Sequence, residues 1–218
     1  MSLVLAADYR VPDFDQWWAT LAGDLLRLPG LGAHHVVVYR SLQDASRVFV
    51  TIGVREREPV DALLRSPVMF SWFDSAGVEE IPPMFAGEVV EKFDLDLPSG
   101  PPAPAAHLAA ADLAAAGAVI VAAIAPVGRH AGLDRLRASV HAAATRLAAS
   151  GVQRFWIYRA LDDQAEVMIL LQIATERQAE QWVRHPDAAA AFMAEAGAGG
   201  YPPLFVGRLV QAIEVPGT

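Results

Sequence analysis

The 218-residue chain has no cysteine, which excludes a disulfide framework, a thiolate metal site and a cysteine nucleophile. Basic side chains are few: 17 Lys and Arg stand against 25 Asp and Glu, for a net charge of −8. A surface that tracks phosphates needs clustered cations, so nucleic acid is not an expected partner. No apolar run reaches membrane-spanning length, and the start, MSLVLAADYR, lacks the basic flank and the apolar length of a secretory signal. No membrane association is expected, and the expected location is the cytoplasm. G-x-G-x-x-G, a P-loop, H-E-x-x-H and G-x-S-x-G are all missing, and no carboxylates cluster at ligand spacing, so neither a nucleotide cofactor nor a metal is expected. Apolar residues, by contrast, make up 54% of the chain, enough for a large core. The length allows one large domain or two of about 110 residues each.

Charge divides the chain unevenly. The first hundred residues carry 8 basic and 15 acidic side chains and the remainder 9 and 10, which invites a search for two halves. His35-Val36-Val37-Val38-Tyr39-Arg40-Ser41-Leu42 runs parallel to Arg154-Phe155-Trp156-Ile157-Tyr158-Arg159-Ala160-Leu161, 119 residues later. At the same offset Val48, Val50, Ile52 and Val54 fall on Val167, Ile169, Leu171 and Ile173. Pro67 falls on Pro186, and Phe73 on Phe192. One residue further on, Pro82-Pro83-Met84-Phe85 meets Pro202-Pro203-Leu204-Phe205. A duplication of about a hundred residues explains this register.

Each copy has the same order. An apolar run (Leu3–Asp8; Val119–Ile124) precedes a helix with its apolar positions on one face: Phe14, Trp17, Leu21, Leu25 and Leu28 match Leu133, Leu136, Val140, Ala144 and Leu147. Asp13 and Asp15 suit the positive start of the first helix, and Pro29-Gly30 and Gly151 mark the two helix ends. Hairpins follow at about 33–54 and 152–173, then a helical region interrupted at Pro67 or Pro186, then a strand introduced by Pro-Pro. The order is βαββαβ, twice. Residues 1–95 and 118–218 form the two halves, and the Pro/Ala-rich segment 96–117 is the linker, with a short helix expected at Leu108–Gly117. Val48/Val50/Ile52/Val54 and Phe49/Thr51/Gly53 make both faces of one strand apolar, as do Val167/Ile169/Leu171/Ile173 and Met168/Leu170/Gln172 of its counterpart. Strands of this kind need cover on both sides. The expected fold is therefore α+β: two ferredoxin-like halves whose antiparallel sheets pack face to face in one chain.

The duplicated Tyr-Arg-x-Leu hairpin, the Ser66-Pro67 and His185-Pro186 breaks, and Ala76-Gly77-Val78…Pro82-Pro83 with Ala196-Gly197…Pro202-Pro203 resemble the dimeric α+β barrel superfamily. Within it the chain is similar to the antibiotic-biosynthesis-monooxygenase-like branch, fused in tandem. The resemblance implies a pseudo-dimeric barrel, as a monomer or a further homodimer. The superfamily holds cofactor-independent monooxygenases, polyketide cyclases, isomerases and haem-degrading enzymes, so it implies several activities. Trp182-Val183-Arg184-His185-Pro186 resembles the Tyr-x-x-His-Pro-x-His element of the barrel-type cyclases, but Trp182 replaces its tyrosine and Ala188 its catalytic histidine. His185 also resembles the helix-two histidine of the haem-degrading branch, without that branch's strand-one Asn at Ala122–Ile124.

Positions where the halves differ are candidates for a specialised site. His34 and His35 face Gln153 and Arg154 in the repeat. Neighbours on a regular strand point to opposite sides, so one of the two at most is expected in a given cavity. His34, His35 or His185 is the candidate base, since imidazole titrates near neutrality. Alternatively, the first two are solvated and His185 buttresses the helix break. Trp72 matches Ala191 and Trp156 matches Val37, which predicts unequal pockets. Trp72, Trp156, Tyr39, Tyr158, Asp8, Tyr9, Thr51 and Gln172 are candidate substrate-lining residues, with core packing the alternative for each. Arg40 and Arg159 are read as structural, paired with acids of the adjoining turns (Asp44; Asp162, Asp163).

The leading expectation is a protein of bacterial specialised metabolism that acts on an apolar, aromatic or polyketide-like molecule. It would be a monooxygenase or cyclase without a cofactor. The alternatives are a non-catalytic binding or carrier module and a haem protein.

Overall fold

The computed structural model of the chain describes residues 3–24, 32–55, 57, 60, 73–75, 77–78, 82–95, 118–128, 132–198 and 203–215. Trp72, the Ser66-Pro67 break, Pro29-Gly30 and the 96–117 linker with its expected short helix lie outside these residues. The elements are β1 (Leu3–Arg10), α1 (Phe14–Asp24), β2 (Ala33–Ser41), β3 (Arg47–Val54), β4 (Met84–Asp94), β5 (Val119–Pro126), α2 (Gly132–Ala149), β6 (Val152–Ala160), β7 (Glu166–Ile173), α3 (Glu176–Arg184), α4 (Pro186–Glu195) and β8 (Phe205–Glu214). No helix among the described residues is long and apolar enough to cross a membrane.

Local signals set several boundaries. The Asp13 carboxylate accepts the Asp15 and Gln16 N–H groups at 2.9 and 3.0 Å, which caps α1. Thr175 does the same for α3 through the Gln178 N–H. Gly151, at φ 90°, reverses the chain after α2.

The eight strands close into one antiparallel barrel in the order β1-β3-β2-β8-β5-β7-β6-β4. Register repeats between the halves: Leu3 faces Val54 as Val119 faces Ile173, and a bulge between Ala33 and His35 matches one between Val152 and Arg154. The two sheets face one another, as their doubly apolar strands require. Both pairs of edges also join, through β2 with β8 and β4 with β6. Among the described residues, closure leaves no strand of either half without a hydrogen-bonded neighbour on each side.

Three apolar clusters follow from this. Val36, Val38, Val48, Val50 and Ile52 meet Trp17 and Leu21 of α1 outside the first sheet. Val121, Val167, Ile169 and Leu171 meet Leu136, Val140 and Leu147 of α2 outside the second. The third cluster fills the barrel with residues of both halves, among them Val4, Tyr39, Phe49, Phe85, Ile120, Trp156, Tyr158 and Phe205.

Glycines shape the barrel wall where two of these rings lie flat on it. A Cβ at Gly87 would stand 2.4 Å from the Phe85 ring and 2.7 Å from the Arg159 carbonyl oxygen. At Gly207 the corresponding distances are 2.5 Å to Phe205 and 2.7 Å to the Arg40 carbonyl oxygen. The backbone oxygens belong to the partner strands and cannot rotate away. Gly87→Ala and Gly207→Ala are therefore each expected to cost about 1–3 kcal/mol, measured by denaturant unfolding, despite the usual gain from replacing a strand glycine.

Candidate functional site

Among the described residues, the helices over the two sheets present different side chains. Over the first sheet, Tyr9 meets Trp17 and Phe73 edge-on at 6.0 and 5.5 Å, and Phe14 and Trp18 flank Trp17. Burial pushes the Tyr9 phenol far above its ordinary pKa, only partly offset by its hydrogen bond with Trp17. In the second half the helical positions of Phe14 and Trp17 are held by Leu133 and Leu136, and a groove of about 450 Å³ lies open between α2 and the α3–α4 pair. That size suits a small organic ligand. Ala143, Leu147, Trp182, Ala189 and Phe192 give the groove an apolar lining, and Arg146, Gln178, Gln181, His185 and Glu195 supply polar groups. Ala191, the small partner of Trp72 in the repeat, also lines it. Beneath Trp182 and Phe192 a void of about 30 Å³ reaches the sheet at Val121, Phe155 and Leu171.

His185 sits where α3 gives way to α4. Its backbone N–H donates to the Gln181 carbonyl, while its side chain makes no capping bond. Proline at the first position of α4 forbids a continuous helix, and the break turns an exposed imidazole into the groove wall. The buttressing role thus belongs to the His185 backbone, and the ring is available to a ligand. Arg146 and Glu195 approach at 3.5 Å between α2 and α4.

The other expected residues fall elsewhere. Tyr39, Trp156, Tyr158, Thr51 and Gln172 are buried in the barrel and line none of the clefts among the described residues. Burial pushes both phenols well above their ordinary range, and Tyr158 adds to the effect at Tyr39. Neither can serve as a base near neutrality. Among the described residues, the Tyr39 hydroxyl and Trp156 Nε1 have no hydrogen-bond partner. His34 and His35 correct the expectation of opposed neighbours. The bulge that interrupts β2 there brings the two rings to one place, with Nδ1 atoms 2.8 Å apart. His35 is buried over Gly53, whose missing Cβ leaves room for its ring. Neither ring of this pair lines the groove that holds His185.

Asp8 lies at the opposite end of the barrel, where Arg47 Nε donates to it at 2.8 Å and a second guanidinium N–H also binds it. This bond holds the Arg47 guanidinium above its ordinary pKa. The two arginines that recur in the repeat take partners other than the turn acids expected for them: Arg40 donates to the Ala45 carbonyl and covers Phe14, and Arg159 pairs with Glu88 of β4.

Sequence reasoning missed Arg47, Glu166 and the α2 side of the groove. Arg47 falls on Glu166 at the repeat offset, a reversal of charge that the comparison of halves could have exposed. The α2 residues carried no such mark, because an Ala-rich helix face reads as ordinary packing.

The chain has the fold of the dimeric α+β barrel, with both halves in one polypeptide. No protein-family profile matches it, and no curated protein is significantly similar in sequence. Among solved structures it is similar to an anthrone oxidase-like protein, with a TM-score of 0.70 and 13% identity over 98% of this chain and 93% of the other. A candidate monooxygenase from Fusobacterium nucleatum aligns with a TM-score of 0.57 and 7% identity, covering 100% and 96% of the two chains. A haem-binding protein from Thermus thermophilus aligns with a TM-score of 0.50 and 17% identity, covering 96% and 91%. Such identities speak to the fold.

Burial first, then Asp162 and Asp163, push the Glu166 carboxyl above its ordinary 4.5. The folded chain therefore holds that proton more readily than the unfolded chain, and ionising Glu166 costs stability as pH rises from 4.5 through the raised value. Glu166→Gln is expected to raise Tm at about neutral pH and to leave it unchanged below Glu166's ordinary pKa. Calorimetry across that range checks both limbs.

Proposed function

We propose that the protein is a small-molecule enzyme of the monooxygenase type, or a cyclase, whose aromatic or polyketide-like substrate lies in the α2/α3–α4 groove. The observation that carries this reading is the groove itself: an apolar lining of about 450 Å³ whose wall holds the His185 imidazole, a ring with no capping bond. The likeness of fold to an anthrone oxidase-like protein supports the monooxygenase form. In that form His185 takes a proton from an acidic C–H of the substrate, and the resulting carbanion reduces dioxygen. The hydroperoxide formed then loses water to leave a carbonyl, so one CH₂ and one O₂ become C=O and H₂O. Trp182 and Phe192 would hold the rings and exclude water, while the imidazole supplies the base.

The void beneath the groove is about 30 Å³, which admits a water and no porphyrin, so a haem would have to lie in the open groove against the exposed His185. A carrier role is the second reading, favoured by the lack of a capping bond to orient the His185 ring.

Oxygen uptake with a panel of anthrones and quinols tests the proposal. His185→Ala is expected to lower kcat by about 10²–10⁴-fold, and Trp182→Ala chiefly to raise KM. A panel that gives no uptake above a heat-killed control sinks the monooxygenase. Recovery of one bound ligand unchanged after incubation would establish the carrier instead.

A further inference from the structure

The barrel end that carries Asp8 has a cavity of its own, of about 300 Å³ and separate from the groove. Inward positions of six strands meet there: Asp8 of β1, Phe49 of β3, Phe85 of β4, Ile124 of β5, Glu166 of β7 and Phe205 of β8. Register shows that the mouth is lopsided. Asp8 faces Phe49 just as Ile124 faces Met168, and Arg47 faces Arg10 just as Glu166 faces Pro126. Where the first half places the ion pair Asp8–Arg47, the second places Ile124 and a carboxylate.

The two charges of the first half satisfy one another. Arg47 binds Asp8 through two N–H groups, lies 5.4 Å over the Phe205 ring and reaches the Leu204 carbonyl at 3.5 Å. Glu166 is only partly exposed, and its side chain makes no ion pair or hydrogen bond among the described residues. Its near neighbours Asp162 and Asp163 are also acids. Beside it lie Phe49 and Phe205, 5.3 Å apart, with Phe85 on the same wall. Gly87 and Gly207 leave room for two of these rings, which are 2–3% exposed and floor the cavity as part of the packed wall.

A ligand must suit this combination. An anion would meet Glu166, Asp162 and Asp163. A neutral apolar body would take water from Glu166 without replacing it. A cation compensates the carboxylate, and its apolar body finds Pro83, Ile124 and the ring-floored wall on the other sides of the cavity. We propose that the barrel mouth is a second ligand site, one that binds a small organic ammonium with an apolar body, its charge beside Glu166 and its body against Phe49, Phe85 and Phe205.

The test titrates the full chain with benzyltrimethylammonium, with benzyl alcohol and benzoate as neutral and anionic counterparts, and follows calorimetry and backbone amide shifts. The cation is expected to bind at least about tenfold more tightly than either counterpart, and Glu166→Gln to remove about that factor. Glu166→Arg should abolish binding while circular dichroism stays native. His185→Ala should change nothing, and the shifted amides should be those of Phe49, Phe85, Glu166 and Phe205. No measurable binding of the cation, equal binding of benzoate, indifference to Glu166→Gln, or shifts confined to Trp182 and Phe192 would each overturn the proposal. Since the groove plays no part, failure here leaves the proposed enzyme reading as it stands.

Discussion

Burial of both faces of the strands is the constraint on which the rest of this molecule depends. β3 sends Val48, Val50, Ile52 and Val54 toward α1, and Phe49 and Thr51 into the barrel. β7 divides its residues in the same way beneath the second set of helices. One layer of helices cannot cover two faces, so the inner faces must cover each other. The pairings β2–β8 and β4–β6 then complete the wall. The interior thus belongs to neither half: alone, the first sheet would expose Tyr39, Phe49 and Phe85, and the second Trp156, Tyr158 and Phe205.

The interior absorbs part of the variation between the halves by exchanges such as Trp156 for Val37, and the outer layers and the barrel ends carry the rest. Over the first sheet Tyr9 packs edge-on against Trp17 and Phe73, and over the second the groove lies between α2 and the α3–α4 pair. The same divergence gives the barrel mouth one satisfied ion pair and, among the described residues, one carboxylate without a partner.

The barrel was legible in the sequence because a 119-residue repeat and doubly apolar strands are long-range, redundant signals. Even the helix break at His185-Pro186 could be placed from one proline. The site was less so. Whether Tyr39 and Trp156 lined a cavity or filled a core depended on how closely two sheets approach, which no local pattern encodes. His34 and His35 misled for a definite reason: alternation holds only on a regular strand, and a one-residue bulge cancels it without altering composition. Of the three candidate bases, His185 lines the groove between α2 and the α3–α4 pair, and its position was fixed by backbone chemistry that proline makes readable.

Barrel closure within one polypeptide has a further consequence. Where two separate chains form such a barrel, dilution pulls the partners apart by mass action and uncovers both interiors. Here Phe49 and Phe205 meet at 5.3 Å from strands tethered to one another, at an effective concentration set by the connecting chain and not by the amount of protein. The inner floor therefore stays covered when the protein is scarce, and each half could change its surface without having to match an identical copy of itself.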